Sequence, residues 1–158
     1  MSDDIKKKEY EKAINQKLSK YDINPFILND KNQVLLQQRI STVIFGGKWI
    51  MPGGKVFDLE RIESALKRMT KLKTNADIIF YNKELNSSLI GVYDDPYRDP
   101  REHVVGITFA CKYVGGDLIP GGNSSKVQFF DMEDALKLDL GFGHDYMIKH
   151  AYEKLGIS

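Results

Sequence analysis

The residues best suited to chemistry cluster in one stretch, WIMPGGKVFDLERIESALKRMTKLKTNA (49–76). Gly53 and Gly54 would let a backbone approach a diphosphate closely, because no Cβ stands in the way. The same glycines would equally serve a tight turn. Lys55, Arg68 and Lys73 supply cations in the same stretch. Glu60 and Arg68 either brace the loop as an ion pair or take part in catalysis. Glu63, one turn further on, is a solvated helix carboxylate or a metal ligand. From residue 64 to residue 76 there is no carboxylate, and the chain reads KRMTKLKTN.

Other groups with acid–base or recognition chemistry lie outside this stretch. Arg39 ends QVLLQQR, and DPYRDPRE (95–102) brings Tyr97, Arg98 and Glu102 to the edge of an apolar run that begins at His103. Aromatic and guanidinium groups there suit stacking on a base or ribose, or else the packing of a strand end. Glu102 and His103 are candidate catalytic groups, and surface or structural roles stand beside them. His144 reads as a helix-start or core residue and His150 as an exposed one. The single cysteine, Cys111, excludes an internal disulfide, and its strand-like setting ITFACKY reads as a buried thiol.

These residues must be positioned by a mixed set of elements. Residues 3–20 carry Ile5, Tyr10, Ala13, Ile14 and Leu18 at helical spacing, which predicts an N-terminal helix packed on the main body. NPFILND (24–30) and NQVLLQQR (32–39) flank Asn29-Asp30-Lys31-Asn32, a hairpin signal. Two Gly pairs and a proline make 45–54 loop and short strand. Residues 58–73 read as a helix with Asp58 as N-cap candidate and Ile62, Ala65, Leu66, Met69 and Leu72 on one stripe. Strands follow at 76–82, 88–95 and 103–116. A last strand over 127–134 runs into a helical turn, and a helix over 142–156 closes the chain. Strands with one central and one closing helix give an α+β class rather than a repeating βαβ array.

The chain has 158 residues, 42% apolar and 28% charged, with a formal net charge of +1. That is one domain with a real core. Near neutrality gives no reason to expect nucleic acid or an anionic membrane as partner. A charged N-terminus and the absence of a long apolar run read as a cytoplasmic protein with no membrane span.

At WIMPGGKVFDLERIESALKRM the sequence resembles the Nudix family, whose box is written G-x5-E-x7-R-E-U-x-E-E-x-G-U, with U apolar. Gly54, Glu60 and Arg68 follow that spacing without a gap, and Trp49, Pro52 and Gly53 resemble the approach to the box. ILNDKNQVLLQQR before the box and GVYDDPYRDPREHVVGITFACKY after it extend the resemblance over most of the chain. It implies a Nudix α/β/α sandwich, a mixed sheet between helices: residues 1–22 form a helix on the domain, and 23–158 form a single Nudix domain. It implies hydrolysis of a nucleoside diphosphate linked to another group, with Mg²⁺ as cofactor, and a homodimer as one possible assembly.

The box departs from the family where the metal binds. The positions of its three glutamates are here Met69, Leu72 and Lys73. Two cannot bind a hard cation, and the third repels it. Asn75 replaces a glycine, a mild change where a helix ends left-handed. KRMT (67–70) and QQRIS (37–41) resemble the GDP-mannose mannosyl hydrolases, and DPYRDPREHVV resembles the corresponding segment of ADP-ribose hydrolases. The first resemblance implies that Arg39 and Lys55 contact the diphosphate and that the Gly53 carbonyl faces the metal. It also implies a base histidine in the loop before the final strand. IPGGNSSKVQFF (119–130) has none; Asn123 and Ser124 stand where an amide metal ligand and the base would be.

Substitute metal ligands would have to come from Glu60, Glu63, Glu102 or Asp94-Asp95. Two functions therefore stand. One is an atypical hydrolase of a nucleotide sugar. The other is a ligand sensor or interaction domain that lost metal catalysis and in which Lys73 contacts the diphosphate in the metal's place.

Overall fold

A computed structural model describes residues 2–158. The chain runs α1 (Asp3–Ile14), β1 (Lys20–Leu28), β2 (Val34–Arg39), β3 (Trp49–Ile50), α2 (Ile62–Thr74), β4 (Asp77–Phe80), β5 (Leu89–Tyr93), β6 (Val104–Gly115), β7 (Ser124–Phe130), α3 (Met132–Leu136) and α4 (His144–Leu155). The seven strands form one mixed sheet with the path β3-β2-β1-β6-β4, with β5 paired to β6 and β7 to β2. β1 and β6 run parallel from Lys20 opposite Val104 to Leu28 opposite Lys112. The other strand pairs are antiparallel.

Strand alternation divides the core into two layers. Ile23, Ile27 and Leu35 pack with Ala65, Leu66 and Met69 of α2. Phe26, Leu28, Val34 and Leu36 face the other way, onto Met147, Ile148, Ala151 and Tyr152 of α4. The result is the mixed sheet between helices that the box resemblance implies.

The hairpin forms as its turn residues predict: Asn29 Oδ1 accepts the N–H groups of Lys31 and Gln33, and Leu28 stands opposite Val34. Nearer its start β1 has a different neighbour. Ile23 and Gly54 exchange backbone hydrogen bonds of 2.9 and 3.0 Å. The glycine loop is thereby stitched to the sheet.

Two sequence expectations are corrected. α2 starts at Ile62 with Arg61 as N-cap and no side-chain cap, so Asp58 caps nothing. Phe57, Asp58 and Leu59 instead form a turn closed by the Glu60 N–H on the Phe57 carbonyl. The N-terminal helix is shorter than predicted and none of its residues is buried. Lysines and glutamates interrupt its apolar positions, and Leu18 beyond it is 81% exposed. The left-handed end of α2 is as expected, with Asn75 at φ 62°. Among the described residues no helix is long and apolar enough to cross a membrane.

Candidate functional site

A cleft of about 250 Å³ opens where the first residues of β1, the 51–55 loop, the C-terminal end of α2 and the N-terminal end of α4 converge. Arg39, Gly53, Gly54, Lys55 and Lys73, all predicted to bind a ligand, are among its walls, as is Asn123. Gly53 has no room for a side chain, and one at Gly54 would have to displace Met69. A Cβ on Gly53 would lie 2.3 Å from the Ile23 carbonyl oxygen and 2.4 Å from Asn24 Oδ1; one on Gly54 would lie 2.8 Å from Met69 Sδ. The glycines are required first by close packing against β1 and α2, and that packing aims the Gly53 carbonyl at α2.

Lys73 Nζ donates to that carbonyl. Burial pushes its pKa down to about 8, helped by the charge of Arg39 and partly opposed by Asp22. Of the other two positions where the box resemblance implies glutamates, Met69 is buried in the core and Leu72 is largely exposed. Arg39 is buried, donates from Nε to the Ile44 carbonyl at 2.7 Å, and lies 5.1 Å from the centre of the Phe142 ring.

Glu60 and Arg68 keep their spacing for another reason. Arg68 grips Glu60 through two hydrogen bonds of 2.7 and 2.8 Å and donates to the Lys55 carbonyl at 2.9 Å; Glu60 also accepts the Phe57 N–H. This brace shapes the loop, and neither residue lines the cleft. The Arg68 hydrogen bonds hold the Glu60 carboxyl down at about 2.

Glu63 pairs with Lys67 on the helix surface and Glu102 with Lys20, so both lie away from the cleft. His103 is exposed, with Nε2 3.1 Å from the Asp94 carbonyl oxygen. Tyr97 is 88% exposed and does not face the cleft. Arg98 does not line the cleft; its side chain is 5% exposed, pairs with Asp22 at 3.3 Å, and donates to the Val104 and Phe142 carbonyls.

Asn123 Oδ1 accepts from Gln37 Nε2, and so does the buried Ser124 hydroxyl, which leaves Ser124 without a base to activate it. Asp94 and Asp95 border a separate hollow beside Tyr93, Tyr146 and His150.

The cleft also holds residues that sequence reasoning missed: Asp22, Asn24, Asp99, Arg101, Phe142 and His144 in a ligand-facing role. The one local signal was the Asp99-x-Arg101 spacing. Burial works against ionising Asp99, but the Arg101 hydrogen bonds and charge outweigh it and hold the carboxyl below its usual range. Asp22 is shifted the other way, because desolvation exceeds the help it receives from Arg98, Asn24 and Lys55.

His144 Nδ1 accepts the Met51 N–H at 2.9 Å, which assigns the ring proton to Nε2. Burial, reinforced by Arg98, Lys73 and Arg39, pushes its pKa to about 3, so it is a neutral donor.

Among the described residues no group of three or more His, Cys, Asp or Glu side chains could hold a metal ion. Of the two carboxylates in the cleft, Asp99 has both oxygens engaged by Arg101 and Asp22 has Oδ1 engaged by Arg98 and Asn24. A hard divalent cation needs several oxygen ligands, and the carbonyl best placed to be one of them holds an ammonium. The donor set does not fit Mg²⁺.

The NUDIX domain profile matches residues 21–151. The ADP-ribose pyrophosphatase of Methanocaldococcus jannaschii is 37% identical over 123 residues, which span 78% of this chain and 68% of that protein. Among solved structures, the NUDIX domain of Shewanella oneidensis NrtR complexed with ADP ribose aligns with a TM-score of 0.73 at 24% identity. That match covers 93% of this chain and 98% of the other. A mutT/nudix family protein from Listeria innocua aligns with a TM-score of 0.67 at 25% identity, over 89% and 96% of the two chains.

Proposed function

Because this chain belongs to the Nudix family, we propose that its cleft binds a nucleoside diphosphate joined to a sugar, of the ADP-ribose kind, and hydrolyses it slowly if at all. Lys73 takes over part of the charge neutralisation that family members obtain from a divalent metal. The observation that carries this reading is the Lys73 ammonium seated on the Gly53 carbonyl. Arg39, Lys55 and Arg101 complete a cationic lining for the two phosphates.

A fixed ammonium stabilises a bound diphosphate but does not lower the pKa of a water, so it binds without making the hydroxide that a metal supplies. The side chains left in the cleft do not replace that function. His144 is a donor, Asp99 is tied to Arg101, and Asp22 is held by Arg98 and Asn24; Ser124, beside the cleft, accepts from Gln37 and has no activating partner.

The archaeal relative's activity supports ADP-ribose over GDP-mannose as the ligand type. The mannosyl reading would further need a base histidine, which the 119–130 loop lacks.

The test is calorimetry with ADP-ribose and GDP-mannose, in EDTA and in millimolar Mg²⁺, beside a turnover assay. ADP-ribose is expected to bind equally well in both buffers, and Lys73→Ala to lose at least about tenfold in affinity, or about 1.4 kcal/mol. Binding that requires Mg²⁺, or brisk Mg²⁺-dependent turnover by the unaltered protein, would overturn the proposal.

A further inference from the structure

The cationic lining has a consequence for selectivity. Arg39, Lys55, Lys73 and Arg101 would by charge alone hold a nucleoside triphosphate at least as well as a diphosphate ester. Something else in the cleft must tell a sugar from a third phosphate.

Two carboxylates line it, and they differ. Asp99 has both oxygens engaged by Arg101: Oδ1 accepts from the backbone N–H at 2.9 Å and from Nε at 3.0 Å, and Oδ2 from Nη2 at 2.8 Å. Asp22 has one oxygen engaged. Its Oδ1 accepts from Asn24 Nδ2 at 3.1 Å and from Arg98 Nη2 at 3.3 Å, while Oδ2 has no donor among the described residues. The side chain keeps 19% of its surface open.

Position and rigidity follow from the fold. Asp22 and Asn24 alternate onto the same face of β1, and Asn24 packs against Gly53, whose carbonyl holds Lys73. Asp22 therefore stands next to the place where the diphosphate would lie. Arg98, itself bonded to the Val104 and Phe142 carbonyls, anchors the carboxylate there.

We propose that Asp22 is the specificity-determining residue of the cleft: its free oxygen accepts a hydroxyl of the sugar beyond the second phosphate and repels a third phosphate at the same point. The proposal rests on the reading of the cleft as a diphosphate–sugar site. An ionised carboxylate is an acceptor only. It suits a sugar hydroxyl, which donates, and opposes a phosphate oxygen, which cannot and carries like charge. A site built to pair a hydroxyl also discriminates against ligands that lack it, since its own polar group is then left unpaired.

The experiment is calorimetry in EDTA with ADP-ribose, ADP and ATP, on the unaltered protein and on Asp22→Asn. The unaltered protein is expected to bind ADP-ribose at least about tenfold more tightly than ATP, with ATP no tighter than ADP. Asp22→Asn, whose amide can donate to a phosphate, is expected to shrink the ADP-ribose to ATP ratio by about tenfold or more. If Asp22→Asn does not fold, because Arg98 has lost its partner, the series on the unaltered protein decides. ATP binding as tightly as ADP-ribose overturns the proposal without any variant. A folded Asp22→Asn with an unchanged ratio overturns it too, while metal-free ADP-ribose binding leaves the wider reading intact. Failure of all three nucleotides to bind would instead overturn that wider reading and this proposal with it.

Discussion

Lys73, at the end of α2, reaches the Gly53 carbonyl twenty residues earlier in the chain. Gly53 is held there by close packing on Ile23 and Asn24, and Lys73 is held by the helix. An amine partly buried at this point gives up its proton more readily than a free lysine, with a pKa of about 8.

That shift makes metal-free binding depend on pH. A diphosphate favours the charged amine, so the complex needs a proton that the free protein releases above about pH 8. Affinity for ADP-ribose in EDTA is expected to hold steady below that pH and to fall above it, by up to about tenfold per unit. Lys73→Arg keeps its charge and should remove the fall. The ligand-free fold moves the other way. The unfolded chain keeps the Lys73 proton up to about 10.5 and the folded chain loses it near 8, so this group adds stability as pH rises through that window. Calorimetry at about pH 7 and about pH 9.5 checks the first effect; equal affinities for the unaltered protein would refute it.

Carboxylates at the end of α2 should create a metal site. Leu72 is largely exposed and Lys73 lines the cleft, so Leu72→Glu/Lys73→Glu places two acids on the helix end without opening the core. Titration with Mn²⁺ is expected to raise the melting temperature of the double variant by a few degrees while the unaltered protein stays put. No difference between the two would show that carboxylates at positions 72 and 73 do not suffice for a metal site.

Gly53→Ala tests the packing account. Its Cβ would sit 2.3 Å from a backbone oxygen, which cannot swing aside as a side chain can. The expected cost is at least about 2 kcal/mol, or roughly 4–8 °C in melting temperature for a chain of this size. A melting temperature within about 1 °C of the parent would mean that the loop relaxes freely.

His144 should behave as a buried neutral ring. Its pKa is pushed to about 3 by burial and by Arg98, Lys73 and Arg39, so its imidazole resonances should not titrate between about pH 5 and about pH 8. In the unfolded chain the same ring takes a proton near 6.5. Stability owed to this group is therefore intact above that pH and declines as pH falls toward about 3. His144→Gln should flatten that part of the acid unfolding curve; an unchanged slope would count against the assignment.

What could be read from the chain itself was local. Asn29 closes its own hairpin turn within four residues. Of the stripe Ile62, Ala65, Leu66, Met69 and Leu72, the middle three form the buried face of α2 because helical spacing alone brings them together, whereas Leu72 at its end is exposed. The Gly54–Glu60–Arg68 spacing is local as well, and in the fold Glu60 and Arg68 close that loop on itself. That positions 69, 72 and 73 are Met, Leu and Lys, with no carboxylate among them, could also be seen without coordinates.

Tertiary structure decided which charges face the cleft. Arg98 and Arg101 are three residues apart in one loop, yet Arg98 turns away from the cleft and pairs with Asp22 while Arg101 reaches the cleft wall on Asp99. Asp22, from the start of β1, meets Arg98 because β1 runs parallel to β6, whose partner residues lie more than eighty positions later. Phe142 and His144 join them from the approach to α4. No periodicity encodes such meetings. They arise when non-local strand pairing and the burial of two apolar layers bring distant polar residues to one edge of the sheet, where each must find a partner or a ligand.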